Sequence, residues 1–316
     1  MATFTPNYGL HQWESSDAFL RTEFNQDFSI LDTALGQVVR TGVDNAYNLY
    51  NLMLQSQYEG KYTGYKRSLL FDGFPDESAI AEKDAALVVR DHGLRLFRTG
   101  EAAWTAAKGS SYGAPYYGSI YTQERTAVGA GLLTGFQATI RNPSAEEMTL
   151  EVWHNGEKVR QQAMDIPERS EGSFEMLLEE PLLLLPGDRY YLGFPKGGSS
   201  ALDFALTSGG DMAGTARITS LGAEEGHMDV TAQALPDECT QVRLWARWEG
   251  GTVTPALAGT ALSVQATRPA QTLDGAPCTE TEWRGSAPTG ETLSLGWTLA
   301  AGVTGCTLYD YGLLLL

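Results

Sequence analysis

Phe136-Gln137-Ala138-Thr139-Ile140-Arg141-Asn142-Pro143-Ser144 and, four residues on, Met148-Thr149-Leu150-Glu151-Val152-Trp153-His154-Asn155-Gly156 decide the fold class. Apolar and polar side chains alternate in both stretches, the period of a strand with one buried face. Asn142-Pro143-Ser144 is a turn. Asn155-Gly156 predicts a two-residue hairpin, because both positions tolerate positive φ. The same pattern returns on either side. Leu87–Arg90 and Leu94–Phe97 flank Asp91-His92-Gly93 as a hairpin, and Phe174, Met176 and Leu178 mark another strand. Leu185–Phe194 reads as loop, turn and strand. Val242, Leu244, Ala246 and Trp248 alternate with Arg243, Trp245 and Arg247; Leu293, Leu295 and Trp297 alternate with small residues; Leu308–Tyr311 opens a last strand. Short strands separated by turns predict antiparallel β-sandwich units, jelly-roll or immunoglobulin-like.

Ser208-Gly209-Gly210 offers a boundary after which the strand pattern restarts, so two sandwich domains are expected at 62–212 and 213–316. A single larger β-domain over 62–316 is the rival reading. The 316-residue length accommodates either.

The first 61 residues differ in kind. Residues 1–14, with Pro6 and Gly9, read as an extended arm, and Ser15, Ser16 and Asp17 supply helix N-cap oxygens. Leu20, Phe24, Phe28, Leu31 and Leu35 follow at spacings of four and three on one helical stripe. Val39, Val43, Ala46, Tyr50 and Met53 continue it after a phase slip near Gly36. Residues 15–61 are therefore expected to form a coiled-coil-like oligomerisation segment, a short bundle rather than a long zipper. Gly36 and Gly42 leave one helix or two joined by a kink open, as they leave open a helix packed on its own domain.

Tyr8-Gly9-Leu10-His11-Gln12-Trp13-Glu14, the following Asp17, and Glu23-Phe24-Asn25 with Asp27-Phe28, Leu31-Asp32 and Ala34-Leu35 together resemble the N-terminal segments of bacteriophage tail-fibre and baseplate-appendage proteins. The resemblance covers about the first fifth of the chain. It implies a structural virion protein of the tail, assembled in the host bacterial cytoplasm as a homotrimer and attached to other tail or baseplate proteins through its N-terminus. On that basis Trp13, Phe19, Leu20, Phe24, Phe28, Leu31 and Leu35 are the expected oligomerisation and attachment residues.

Charge and chemistry agree with a particle component. Acids outnumber bases 39 to 22, a net charge of −17 that repels nucleic acid and anionic membranes. No apolar run reaches the length of a membrane-spanning helix, and Met1-Ala2-Thr3-Phe4 does not begin a signal peptide. Cys239, Cys278 and Cys306 show no metal-ligand spacing, and His11, His92, His154 and His227 are scattered, so neither metal nor cofactor is expected. Nucleotide-loop and zinc-protease motifs are missing, and no catalytic residues are assigned. Asp203, Asp211, Asp229, Glu282 and Asp310 are glycosidase candidates only by their number among many acids.

The contact surface expected away from the N-terminus is the glycine-rich aromatic stretch carrying Trp104, Tyr112, Tyr116, Tyr117 and Tyr121. Tyrosines there offer flat amphipathic area to a neighbouring subunit or a cell-surface glycan, or pack on their own sheet. Arg243, Trp245 and Arg247 project to one side of their strand, as a surface ladder or towards a neighbouring domain. Alternatives to the structural role are a receptor-binding protein gripping a host glycan, a polysaccharide-degrading tailspike, and a free carbohydrate-binding module.

Overall fold

The structure is a computed structural model describing residues 3–60, 69–235 and 239–316. The chain is mainly β, with one long N-terminal helix, Arg21–Tyr58, and several antiparallel sheets. The expected junction between helical segment and β-region at 61/62 lies outside the described residues, as do Met1 and Ala2.

The arm is a small ribbon in which Thr3–Phe4 pairs antiparallel with His11–Gln12, turning through Gly9 at φ +64°. The helix starts later than its Ser/Asp signal. Leu20 is the N-cap and has no side-chain cap bond, while Asp17 Oδ2 accepts from the Glu14 N–H in a local turn. Gly36 and Gly42 do not divide the helix, which runs unbroken for 38 residues, about 57 Å at ~1.5 Å per residue.

Two hydrophobic cores follow. One is enclosed by the sheet order Ser263–Gln271, Pro277–Ser286, Gln241–Gly250, Gly305–Leu315, Leu94–Phe97, Leu87–Val89, with Leu69–Asp72 also paired to Gly305–Leu315. Thr252–Leu257, Leu295–Ala300, Glu225–Val230 and Ile80–Lys83 form a further sheet whose apolar residues enter the same core. Leu94, Met228, Leu244, Trp283, Trp297 and Leu313 meet there. The leucine-rich C-terminal strand thus lies inside its own chain's sheet.

The other core is built from Gly131–Asn142, Arg169–Leu184, Asp203–Ala205 and Gly214–Ser220 in one sheet and Glu146–His154, Glu157–Ile166 and Arg189–Phe194 in another. Phe136, Ala138 and Ile140 point into it, as do Met148, Leu150 and Val152, as their alternation predicts. Asn142-Pro143-Ser144 carries the chain from one sheet to the other, and Asn155-Gly156 closes the hairpin with φ +51° and +85°.

These cores do not divide the chain at residue 212. Strands between 69 and 97 pair with strands beyond 225, so the unit over about 99–221 is inserted within the other. Ser208-Gly209-Gly210 is a tight loop inside the inserted unit, where Thr207 Oγ1 accepts from Gly209 and Asp211 N–H groups. Local composition marks turns; strand pairing across 145 or more residues decides which core the strands between 69 and 97 join. The two connections cross where Gly100, Gly129 and Gly222 bring backbones together. A Cβ on Gly222 would stand 2.1 Å from the Gly100 nitrogen.

Candidate functional site: the N-terminal helix and its arm

The arm folds back on the first turns of the helix. His11 donates its backbone N–H to both Asp27 carboxylate oxygens at 3.1 and 3.2 Å, and its Nδ1 lies 2.8 Å from Asp27 Oδ1. Trp13 Nε1 donates to Glu23 Oε2 at 3.0 Å. From this anchor the rings Phe4, His11, Trp13, Phe19, Phe24 and Phe28 touch in succession, centroids 4.6–5.6 Å apart. Trp13 is half-buried by the arm. Phe19, Leu20, Phe24, Phe28, Leu31 and Leu35 all remain exposed on the single chain, beyond reach of either β-core.

The second half of the helix behaves differently. Tyr50 and Leu54 are fully buried against Leu69, Phe71, Trp245 and Leu314, with Val43, Ala46, Tyr47 and Met53 packed alongside. Of the residues read as a continuing oligomerisation stripe, Val43, Ala46, Tyr50 and Met53 therefore cover the chain's own sheet, while Val39 stays exposed. Gly312 makes the approach possible, since a Cβ there would sit 2.4 Å from the Tyr50 ring.

Beneath the helix lies a buried polar clamp. Arg247 reaches Glu280 at 3.2 Å and Asp310 at 3.6 Å, and also bonds Asn51 of the helix. Tyr47 Oη donates to Glu280 at 2.5 Å and Tyr50 Oη donates to Asp310. Gln57 accepts from the Gly73 N–H at 2.6 Å. Burial raises Asp310 to about 6, against the lowering pull of Arg247. Burial likewise raises Asp72, beside Gln57, to about 7. The Arg243–Trp245–Arg247 face is thus a floor for the helix, with Arg243 paired to Glu282 at 2.8 Å. Sequence reasoning missed the clamp because its partners stand up to 260 residues apart. The signal was an arginine–tryptophan alternation able to meet the Tyr47, Tyr50, Leu54 face of a helix.

The tyrosine-rich stretch separates into different environments. Trp104 donates Nε1 to Tyr190 Oη at 2.8 Å and packs on Phe136. Tyr112 lies beneath the Arg141 guanidinium at 3.6 Å, in a cluster with Lys108 and Glu171. Tyr121 is half-buried and donates to Glu151 at 2.6 Å. Only Tyr116 and Tyr117 of these five are exposed, at 49% and 73%. Their rings meet edge-on.

Among the described residues, no group of three or more His, Cys, Asp or Glu could hold a metal ion. Asp229 faces His227 at 3.2 Å, while Glu282 and Asp310 belong to arginine pairs. A polar cavity of about 570 Å³ lies beside the end of the helix, lined in part by Tyr58, His92, Asp274 and Tyr309. No described helix is long and apolar enough to cross a membrane. Compared with protein-family models, curated proteins and solved structures, the chain matches none.

Proposed function

We propose that this chain is a non-enzymatic structural component of a phage tail, a fibre or baseplate appendage in the virion. It attaches to other tail or baseplate proteins through its N-terminus and self-associates as a homotrimer. Its β-cores are two sandwich units projected from that root. The observation that carries this reading is an aromatic arm and a helix half whose apolar side chains have no core of their own to enter. Exposed apolar surface of this extent marks an interaction site. The resemblance of residues 8–35 to tail-fibre segments supplies the particle, and closed rotational symmetry is the usual arrangement for such self-contacts.

Light scattering tests the assembly. The whole chain should have three times the monomer mass. A chain starting at residue 42 keeps the docked half of the helix and should be monomeric. A monomeric whole chain, or a trimer indifferent to the truncation, refutes it. Antibody against the β-region should label tails of the parent particle. The receptor-binding version draws support from the exposed Tyr116–Tyr117 pair, and a glycan array separates it from a purely structural role.

A further inference from the structure

The exposed apolar positions of the helix keep one period well beyond Leu35. Phe24, Phe28, Leu31, Leu35 and Val38 are followed by Gly42 and Asn45, then Leu49 and Leu52, so that steps of four and three alternate without a break. The seven apolar members are 37–65% exposed. The residues facing the chain's own sheet, Val43, Ala46, Tyr50 and Met53, each follow a seam position by one residue, about 100° round the helix. Two stripes therefore run side by side. The phase slip near Gly36 is the place where a single-stripe reading passes from one to the other.

A step pattern averaging 3.5 stays on one face only if helices wind around each other with a left-handed twist. We infer that further copies of this chain cover the seam, as a parallel, in-register coiled coil from Phe24 to Leu52. This rests on the self-assembly reading above and adds its surface, orientation and extent. With about 150–200 Å² for a whole apolar side chain, the seam offers on the order of 600 Å² per chain. Two facing copies then exceed the roughly 1,000 Å² of a specific interface.

Asn45 decides the orientation. In a parallel register it meets its own copies, where amides hydrogen-bond one another, and a polar core position sets register. An antiparallel pairing centred on Val38 would bury the Asn45 amide against Leu31, a costly burial without a partner. Because Leu49 and Leu52 lie beside the docked residues Tyr50 and Met53, the β-body of each copy flanks the bundle instead of following it end to end.

The test uses the full chain with Cys239→Ser and Cys278→Ser, leaving the buried Cys306. Val38→Cys, Leu52→Cys and the exposed Asp44→Cys are introduced singly and oxidised mildly. Covalent dimers on non-reducing gels are expected from the Val38 and Leu52 variants, with at least tenfold less from the Asp44 variant. Cross-linking at 38 but not 52 would overturn the parallel arrangement. An intact oligomer by light scattering that cross-links at neither, or best at 44, would overturn the seam while leaving self-assembly standing. A monomer would overturn both.

Discussion

Replacing Arg247 by methionine keeps most of the side-chain volume beneath the helix and removes the charge that the clamp is built around. Glu280 would keep Arg268, 2.5 Å away, but among the described residues Asp310 would keep only the Tyr50 hydroxyl. Breaking a buried pair by removing one partner costs about 3–5 kcal/mol, because the other charge stays buried. The cost should depend on pH. Asp310 is raised to about 6, so near pH 8 it is ionised, and near pH 5 it is about nine-tenths protonated. A carboxyl raised on folding binds more protons in the folded state. Its contribution is full below the unfolded value and is lost as pH rises through about 6. Removing Arg247 raises Asp310 further and steepens that loss. We expect Arg247→Met to destabilise by about 4 kcal/mol near pH 8. Near pH 5 about 2 kcal/mol should remain, mainly the lost hydrogen bonds to Asn51 and Glu280. Urea unfolding followed by far-ultraviolet circular dichroism and tryptophan fluorescence measures both, Trp245 reporting on the docked helix. A destabilisation independent of pH, or below about 1 kcal/mol near pH 8, would refute the clamp.

Phe24→Asp combined with Phe28→Asp should dissociate the oligomer while near-ultraviolet dichroism of the β-region is kept; an unchanged elution profile would place both rings outside the interface. Gly222→Ala should cost about 2–3 kcal/mol through overpacking, since its Cβ would stand 2.1 Å from the Gly100 nitrogen. Gly118→Ala, with nothing within 4 Å, is the matched control and should stay within about 0.5 kcal/mol; equal melting shifts for the two would contradict the crossing-point argument. Tyr116→Ala with Tyr117→Ala should leave thermal unfolding within about 0.5 kcal/mol of the parent, and a larger loss would mean that these rings hold their own loop.

The class of the fold was legible because strand alternation is a local property. Phe136, Ala138 and Ile140 had only one way to reach a core together, and Asn155-Gly156 had only one way to turn. The Asp91-His92-Gly93 hairpin was legible for the same reason, and Asp91 and His92 do take φ +49° and +51°. The candidate site was legible in part. Leu20, Phe24, Phe28, Leu31 and Leu35 were read as one stripe, and all five lie exposed on the single chain. Val43, Ala46, Tyr50 and Met53 were assigned to the same stripe because spacing alone does not distinguish a face that meets a partner from one that meets the chain's own sheet.

By itself, then, the sequence determined a β-rich body, its hairpins, a helical N-terminal segment and an apolar arm, all read from local periods and turn residues. Tertiary structure alone decided that the unit over about 99–221 is inserted into a discontinuous one, and that Trp245 and Arg247 form a floor for the helix. Those outcomes depend on pairings such as Leu70 with Leu313 and Tyr50 with Asp310, more than 200 residues apart. They follow from which buried faces and charges can satisfy one another in space, a condition that no local period encodes.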